Sequence, residues 1–302
     1  MFLGIWQGRL PPTPLHGGGR NPRIAGHSNA MSECQTAAEP VIYEQRDGIV
    51  TLTLNRPDQR NPISDSDMIE ALLAAIARLD ADEAARVAIL TGAGAAFCSG
   101  GNVKKMGMAG GVNDPLPART RRNYRTGIQR LPAAFAAMEI PVIAAVNGPA
   151  IGAGCDLACM CDLRIAGSSA RFVEAFVKLG LIAGDGGAWL LPRTIGFAKA
   201  AEMALTGDPV GAEDALAIGL VSRVVPDADL MDEARKLAMR IACNPPFAVR
   251  MTKRLLWQSR EASLDHSLEM AAAMQALGHA TRDHVEAIDA LQQKRAPLFT
   301  GS

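Results

Sequence analysis

Charge of one sign is what this sequence most clearly lacks: 31 Lys and Arg are matched by 31 Asp and Glu, for a formal net charge of +0. The electrostatic basis for a nucleic-acid partner or a membrane surface is therefore missing. No apolar run approaches the roughly 20 residues that a membrane-spanning helix needs. The opening MFLGIWQGRLPP has neither the basic start nor the longer apolar centre of a secretion signal. Six cysteines sit at irregular positions and read as reduced thiols of a cytoplasmic protein. Cys155, Cys159 and Cys161 cluster, but at no familiar zinc spacing, so buried free thiols are expected and a metal site is not. Several catalytic signatures are absent too. There is no Gly-Lys-Ser/Thr of a phosphate loop, no G-x-G-x-x-G, no H-E-x-x-H and no G-x-S-x-G. His279 and His284 read as surface residues. Carboxylates and backbone donors are what remain for chemistry.

The chain is organised around Pro141 to Asp162, PVIAAVNGPAIGAGCDLACMCD. The run Val142 to Val146 is long enough for one buried strand. Asn147, Gly148 and Pro149 break it, and Gly152, Ala153 and Gly154 are small enough to let a ligand reach the backbone. Asp156 opens a segment that can run as a helix, whose first N–H groups lack partners of their own. Taken alone, the stretch reads better as a tight buried turn with a capping Asp. Residues 87–106, VAILTGAGAAFCSGGNVKKM, repeat the plan: the strand Val87 to Leu90, then the small-residue loop Ser99-Gly100-Gly101. Two such units can aim two backbone N–H groups at one point, the construction of an oxyanion hole.

The 302 residues, 48% of them hydrophobic, suit one large domain or two small ones. Residues 1–38 are rich in Gly, Pro, Arg and Asn and read as a disordered extension, with Met31 a plausible alternative start. VIYEQ and IVTLTLN read as strands around the hairpin turn Arg46-Asp47-Gly48. Ser64 to Leu79 reads as an amphipathic helix, residues 107–118 as a mobile loop, and Thr120 to Met138 as one basic, solvated helix. Leu163–Ala166 reads as a strand, 171–181 as a short strand and a short helix, and IAGDGGAWLLPR as a loop entering a helix. Beyond Pro226 the periodicity is helical. The expected division is a core over 39–228 and a helical region over 229–302.

AAFCSGGNVKKM, PVIAAVNGPAIGAGCDLACMCDLRIAG, LNRPDQRNPIS at 54–64 and LTGDPVGAEDALAIGLVSRVV at 205–225 together resemble the crotonase superfamily, the enoyl-CoA hydratase/isomerase family. The resemblance spans roughly residues 40–300. It implies a mixed α/β fold, a spiral of strand–strand–helix turns with a helical C-terminal oligomerisation region. It also implies a homotrimer or a dimer of trimers. It implies an acyl-CoA thioester substrate, with coenzyme A part of that substrate and no separate cofactor. By the same resemblance the oxyanion donors are the N–H groups of Ser99 and Ala153. Ser99, Gly100, Gly101, Asn102, Lys104, Gly152 and Phe176 would line the substrate.

Hydratases of that family work with two Glu that hold one water. Here the first position is Asp156 and the second is Phe176, which moves no proton. Glu174 lies two residues before Phe176 and would share its face only on a strand. Asp185 is the other nearby acid. Some isomerases of the family carry their base one residue earlier, where this chain has Gly184. Asp185 reads either as a catalytic group or as the N-cap of the following helix. The leading expectation is hydration of a 2-enoyl-CoA by Asp156 and Asp185, with double-bond isomerisation next. Thioester hydrolysis or C–C cleavage follows, then a catalytically reduced acyl-CoA-binding homologue.

Overall fold

The computed structural model describes residues 39–106 and 111–302. The expected N-terminal extension over 1–38 and the first four residues of the expected 107–118 loop lie outside these. The described residues form nine strands, most of them short apolar runs: β1 Val41–Arg46, β2 Ile49–Leu54, β3 Val87–Gly92, β4 Val142–Val146, β5 Pro149–Ile151, β6 Leu163–Gly167, β7 Arg171–Val173, β8 Val210–Gly211 and β9 Val224–Val225. Six form one sheet in the order β1-β2-β3-β4-β6-β9, and three form a second in the order β5-β7-β8. β1 and β2 are an antiparallel hairpin, with Asp47 and Gly48 at φ 53° and 75°, the geometry of a type I′ turn. From β2 onward the large sheet is parallel.

Alternate residues of the large sheet enter two apolar layers. Leu52, Leu54, Leu90, Ala144 and Val146 face a core with Leu72 and Leu79 of the helix Ser66–Ala81 and with Phe97 and Phe135. Ile49, Val87, Ile89, Ile143 and Ile165 face the other way and are covered by Leu230, Ala234 and Ala238 of the helix Leu230–Ala242. The strands therefore read as continuous apolar runs, because both of their faces are buried. The helices Leu264–His279 and Arg282–Gln293 carry exposed apolar side chains, among them Leu264, Leu268, Leu277, Val285 and Leu291.

One expected element divides in two. The segment read as a single helix over 120–138 forms Pro117–Thr126 and Arg130–Ala137. The break is at Gly127, where φ −108° and ψ −116° leave the helical region and a Cβ would lie 2.7 Å from the Asn123 carbonyl oxygen.

β4 leaves the large sheet at Asn147 and re-enters the small sheet as β5. Asn147 holds this crossing by donating from Nδ2 to the carbonyls of Gly92 and Gly94, at 2.9 Å each, and accepting from Gly92 N–H at 3.1 Å. The ends of β3 and β4 are thereby fixed side by side.

Candidate active site

The two small-residue loops meet because Cys98 pairs with β5. Cys98 N–H donates to the Pro149 carbonyl at 3.1 Å, and Ile151 N–H donates to the Cys98 carbonyl at 2.9 Å. The approach leaves room for glycine only. A Cβ on Gly154 would lie 2.2 Å from the Cys98 oxygen, and one on Gly100, at φ 84°, would lie 2.3 Å from the Ile151 oxygen. Asn61, fully buried at φ 55°, braces the first loop from beneath. Its Nδ2 donates to the Ala93 and Ala96 carbonyls at 2.9 Å, and its Oδ1 accepts from Arg56 N–H at 2.8 Å.

This bracing decides which backbone donors are free. The expected Ser99 donor is corrected: its N–H is taken by the Arg60 carbonyl at 2.8 Å. Gly100 N–H lies 3.4 Å from Cys98 Sγ, and Asn102 N–H donates to Ser64 Oγ at 2.7 Å. Gly101 N–H has no partner among the described residues. Ala153 is the first residue of the helix Ala153–Met160, and its N–H likewise has none there. Both residues line a cavity of about 810 Å³.

Of the other residues expected at the substrate, Ser99, Asn102, Gly152 and Phe176 line this cavity, whereas Gly100 and Lys104 do not. Gly100 is packed beneath against Ile151, and Lys104 is exposed. Lys105 is the lysine at the cavity, held by Asp65 Oδ2 at 2.9 Å. The Phe176 ring lies over Gly152, 3.6 Å from where a Cβ there would stand. Tyr124 also lines the cavity, and its ring packs on Gly184. Burial, then the nearby Asp185, raise its phenol pKa. Reading 120–138 as a solvated helix passed over this residue. Only the break at Gly127, itself a turn signal, hinted at it.

Behind the cavity wall three carboxyl groups are buried together: Asp156 at 0% exposure, Glu174 at 2% and Asp185 at 2%. Only Asp185 reaches the cavity lining. The 3-10 helix Ala175–Leu179 starts directly after Glu174, so Phe176 turns to the cavity while Glu174 turns inward. No donor among the described residues reaches either oxygen of Asp156, Oε1 of Glu174 or Oδ1 of Asp185. Three carboxylates cannot satisfy one another, since each only accepts. A proton on Asp156 resolves this, because it gives Asp185 or Glu174 a donor. Burial first, then the charges of Asp185 and Glu174, hold the Asp156 pKa well above the carboxylate range. Burial also raises Glu174 to about 7 and raises Asp185, each opposed by its hydrogen bond with Asp156.

Asp185 does not cap the helix Gly187–Ile195: the N-cap is Gly186 at φ 114°, with no side-chain hydrogen bond. The three carboxyls are not a metal-holding set, and the described residues contain none. Cys155, Cys159 and Cys161 are buried free thiols; His279 is exposed and His284 half-buried, with ring nitrogens 3.0 Å apart.

Residues 44–302 match the family described as Enoyl-CoA hydratase/isomerase. The chain is similar to 1,2-epoxyphenylacetyl-CoA isomerase of Escherichia coli, 38% identical over 87% of this chain and 99% of that one. It is similar to a probable enoyl-CoA hydratase of Rhodobacter capsulatus, 38% identical over 86% of this chain and 98% of that one. The solved enoyl-CoA hydratase of Bacillus anthracis superposes with a TM-score of 0.81 at 33% identity, covering 87% of this chain and 100% of that one.

Proposed function

Because this chain belongs to the enoyl-CoA hydratase/isomerase family, we propose that it hydrates a 2-enoyl-CoA thioester in the cavity between its two small-residue loops. One observation carries the reading: two unclaimed backbone N–H groups, of Gly101 and Ala153, border the same cavity as the buried carboxyl of Asp185. The N–H groups accept the thioester oxygen and stabilise the enolate charge that develops when the double bond is attacked. Asp185 takes the proton of the attacking water, and the hydroxyl oxygen bonds to the β-carbon. Asp185 then returns that proton to the α-carbon as the carbonyl reforms, so one water is added across the double bond and the carboxylate is regenerated. Asp156 acts through Asp185, since it is buried behind the cavity lining.

A second reading, movement of a double bond, has its own support. It needs one base at the cavity, and Phe176 stands where a second acid would serve a water. The chemistry of both readings starts from the same polarised thioester. Purified protein given a panel of enoyl-CoA thioesters, with products identified by mass spectrometry, separates them. Hydration adds one water mass, isomerisation shifts the double bond at constant mass, and no product from any thioester contradicts both.

The assembly in this reading is a homotrimer or a dimer of trimers, supported by the exposed apolar residues of the last two helices. The compartment is the cytoplasm, supported by the free thiols.

A further inference from the structure

We propose that Glu174 is a positioning residue for the reaction: its carboxylate takes the hydrogen bond of the Asp156 acid and so leaves Asp185 free to accept a proton at the cavity. The proposal rests on the reading above, in which Asp185 is the group that meets substrate.

A carboxylate 2% exposed with no donor on Oε1 among the described residues needs a partner, since an unpaired buried charge is costly. The ionisable groups facing it are Cys155, Asp156 and Cys159 of the helix Ala153–Met160, and Asp185 across from that helix. Among the described residues the cations near this set, Arg164 and Arg260, act on Cys159 and not on Glu174, and Lys178 of the 3-10 helix Ala175–Leu179 is engaged by Asp208 at 3.0 Å. A protonated Asp156 is therefore the donor left to Glu174, since the Cys155 thiol pairs first with Cys159.

Asp156 has one proton and two neighbours that want it. When it donates to Glu174, Asp185 is left as the stronger base. When Asp185 has taken a proton from water or substrate, it donates to the free oxygen of Asp156, and Asp156 still donates to Glu174. Every carboxyl then has a partner in both states, and the trio gains only the one proton that Asp185 removes. Without Glu174, Asp156 can donate only to Asp185, and the protonated Asp185 would face another acid. Gly187 fixes the middle of this chain, because the Asp156 carboxyl fills the space where a Cβ at 187 would stand.

The test compares wild-type protein with Glu174→Gln and Glu174→Met. Glu174→Gln removes a negative charge, so the remaining carboxyls ionise more readily. The acid limb of the kcat/KM pH profile should move down by about one pH unit. Glu174→Met removes the acceptor, and kcat should fall at least about tenfold with KM little changed. A second readout needs no turnover. Glu174 titrates near 7 in the folded protein against an ordinary 4.5. Its raised value contributes stability that is present below that ordinary pKa and is lost as pH rises through 7. Urea denaturation of the wild type should show this loss, and Glu174→Gln should flatten it. Unmoved pH limbs, an unchanged kcat in folded Glu174→Met, or an unflattened stability slope each overturn the proposal. A flattened slope in protein that turns over no enoyl-CoA supports the shared proton and instead contradicts the hydratase and isomerase readings.

Discussion

The Asp156 carboxyl stands where a side chain on residue 187 would begin, its Oδ1 2.0 Å from the Cβ position of Gly187. A side chain on residue 187 and the buried acid cannot share that space. Gly187→Ala should displace Asp156 and destabilise the fold by about 1–3 kcal/mol, the usual range for overpacking. Urea midpoints measure the loss, and activity should fall in the fraction that remains folded. An unaltered midpoint with full activity would show that the acid is not confined there.

Ala153→Pro deletes one backbone donor at the first position of a helix, where proline is tolerated. Turnover should drop on the order of a hundred- to a thousand-fold, with the thermal midpoint nearly kept. Ser99→Ala keeps the backbone N–H, which the Arg60 carbonyl holds, and loses only a hydroxyl with a 3.4 Å contact to the Gln59 carbonyl, so turnover should change little. A Ser99→Ala enzyme as impaired as Ala153→Pro would give the Ser99 hydroxyl a part in the reaction.

Asp185→Asn and Asp156→Asn divide the acid/base work. Asp185 lines the cavity, so its amide variant should lose at least about a hundredfold in kcat, the lower end for a general acid or base. The Asp156→Asn variant should keep a measurable fraction, since Asp156 acts from behind. Stability gives the sign independently. The folded pKa of Asp185 is raised, so the group contributes less and less stability as pH climbs through that value, and Asn removes this loss. Asp185→Asn should therefore be at least as stable as wild type at pH 8. A clear loss of stability there would contradict the raised Asp185 pKa, since Asn caps a helix as well as Asp and a lost cap would not explain it.

Asn61→Ala should destabilise the protein through the first loop. It leaves the Ala93 and Ala96 carbonyls and the Arg56 N–H without their partner, at about 1–3 kcal/mol per buried group. It also places alanine at φ 55°. Asn61→Gly removes the backbone strain but not the hydrogen-bond loss, so its denaturation midpoint should fall between those of wild type and Asn61→Ala.

Local signals carried the strands and the meeting of the two loops. Val142–Val146 was legible to the residue, because a β-branched run ended at Asn147-Gly148-Pro149. Gly152 and Gly154 read as room for a ligand at the backbone; in the fold Gly154 and Gly100 let the backbones of the two loops meet, at Cys98 and Ile151, while Gly152 packs against the Phe176 ring. The free donor was not legible, because it depends on the Arg60 carbonyl, which lies close to Ser99 only after folding. The inward turn of Glu174 depends on a 3-10 helix starting one residue later, and no periodicity over so few residues separates that from a strand. Asp185 looked like a cap because Asp commonly precedes a helix. Gly186 took that position instead, with a positive φ that glycine adopts freely.

The most direct test follows deuterium. Wild-type protein and Asp185→Asn are each given crotonyl-CoA in D2O, and the product mass is read after separation. Water addition through an enolate held by Gly101 and Ala153, with Asp185 moving the proton, predicts 3-hydroxyacyl-CoA carrying one deuterium at the α-carbon from the wild type. It predicts almost none from Asp185→Asn over the same time. Absence of hydrated product from the wild type, or equal product from Asp185→Asn, would contradict the account.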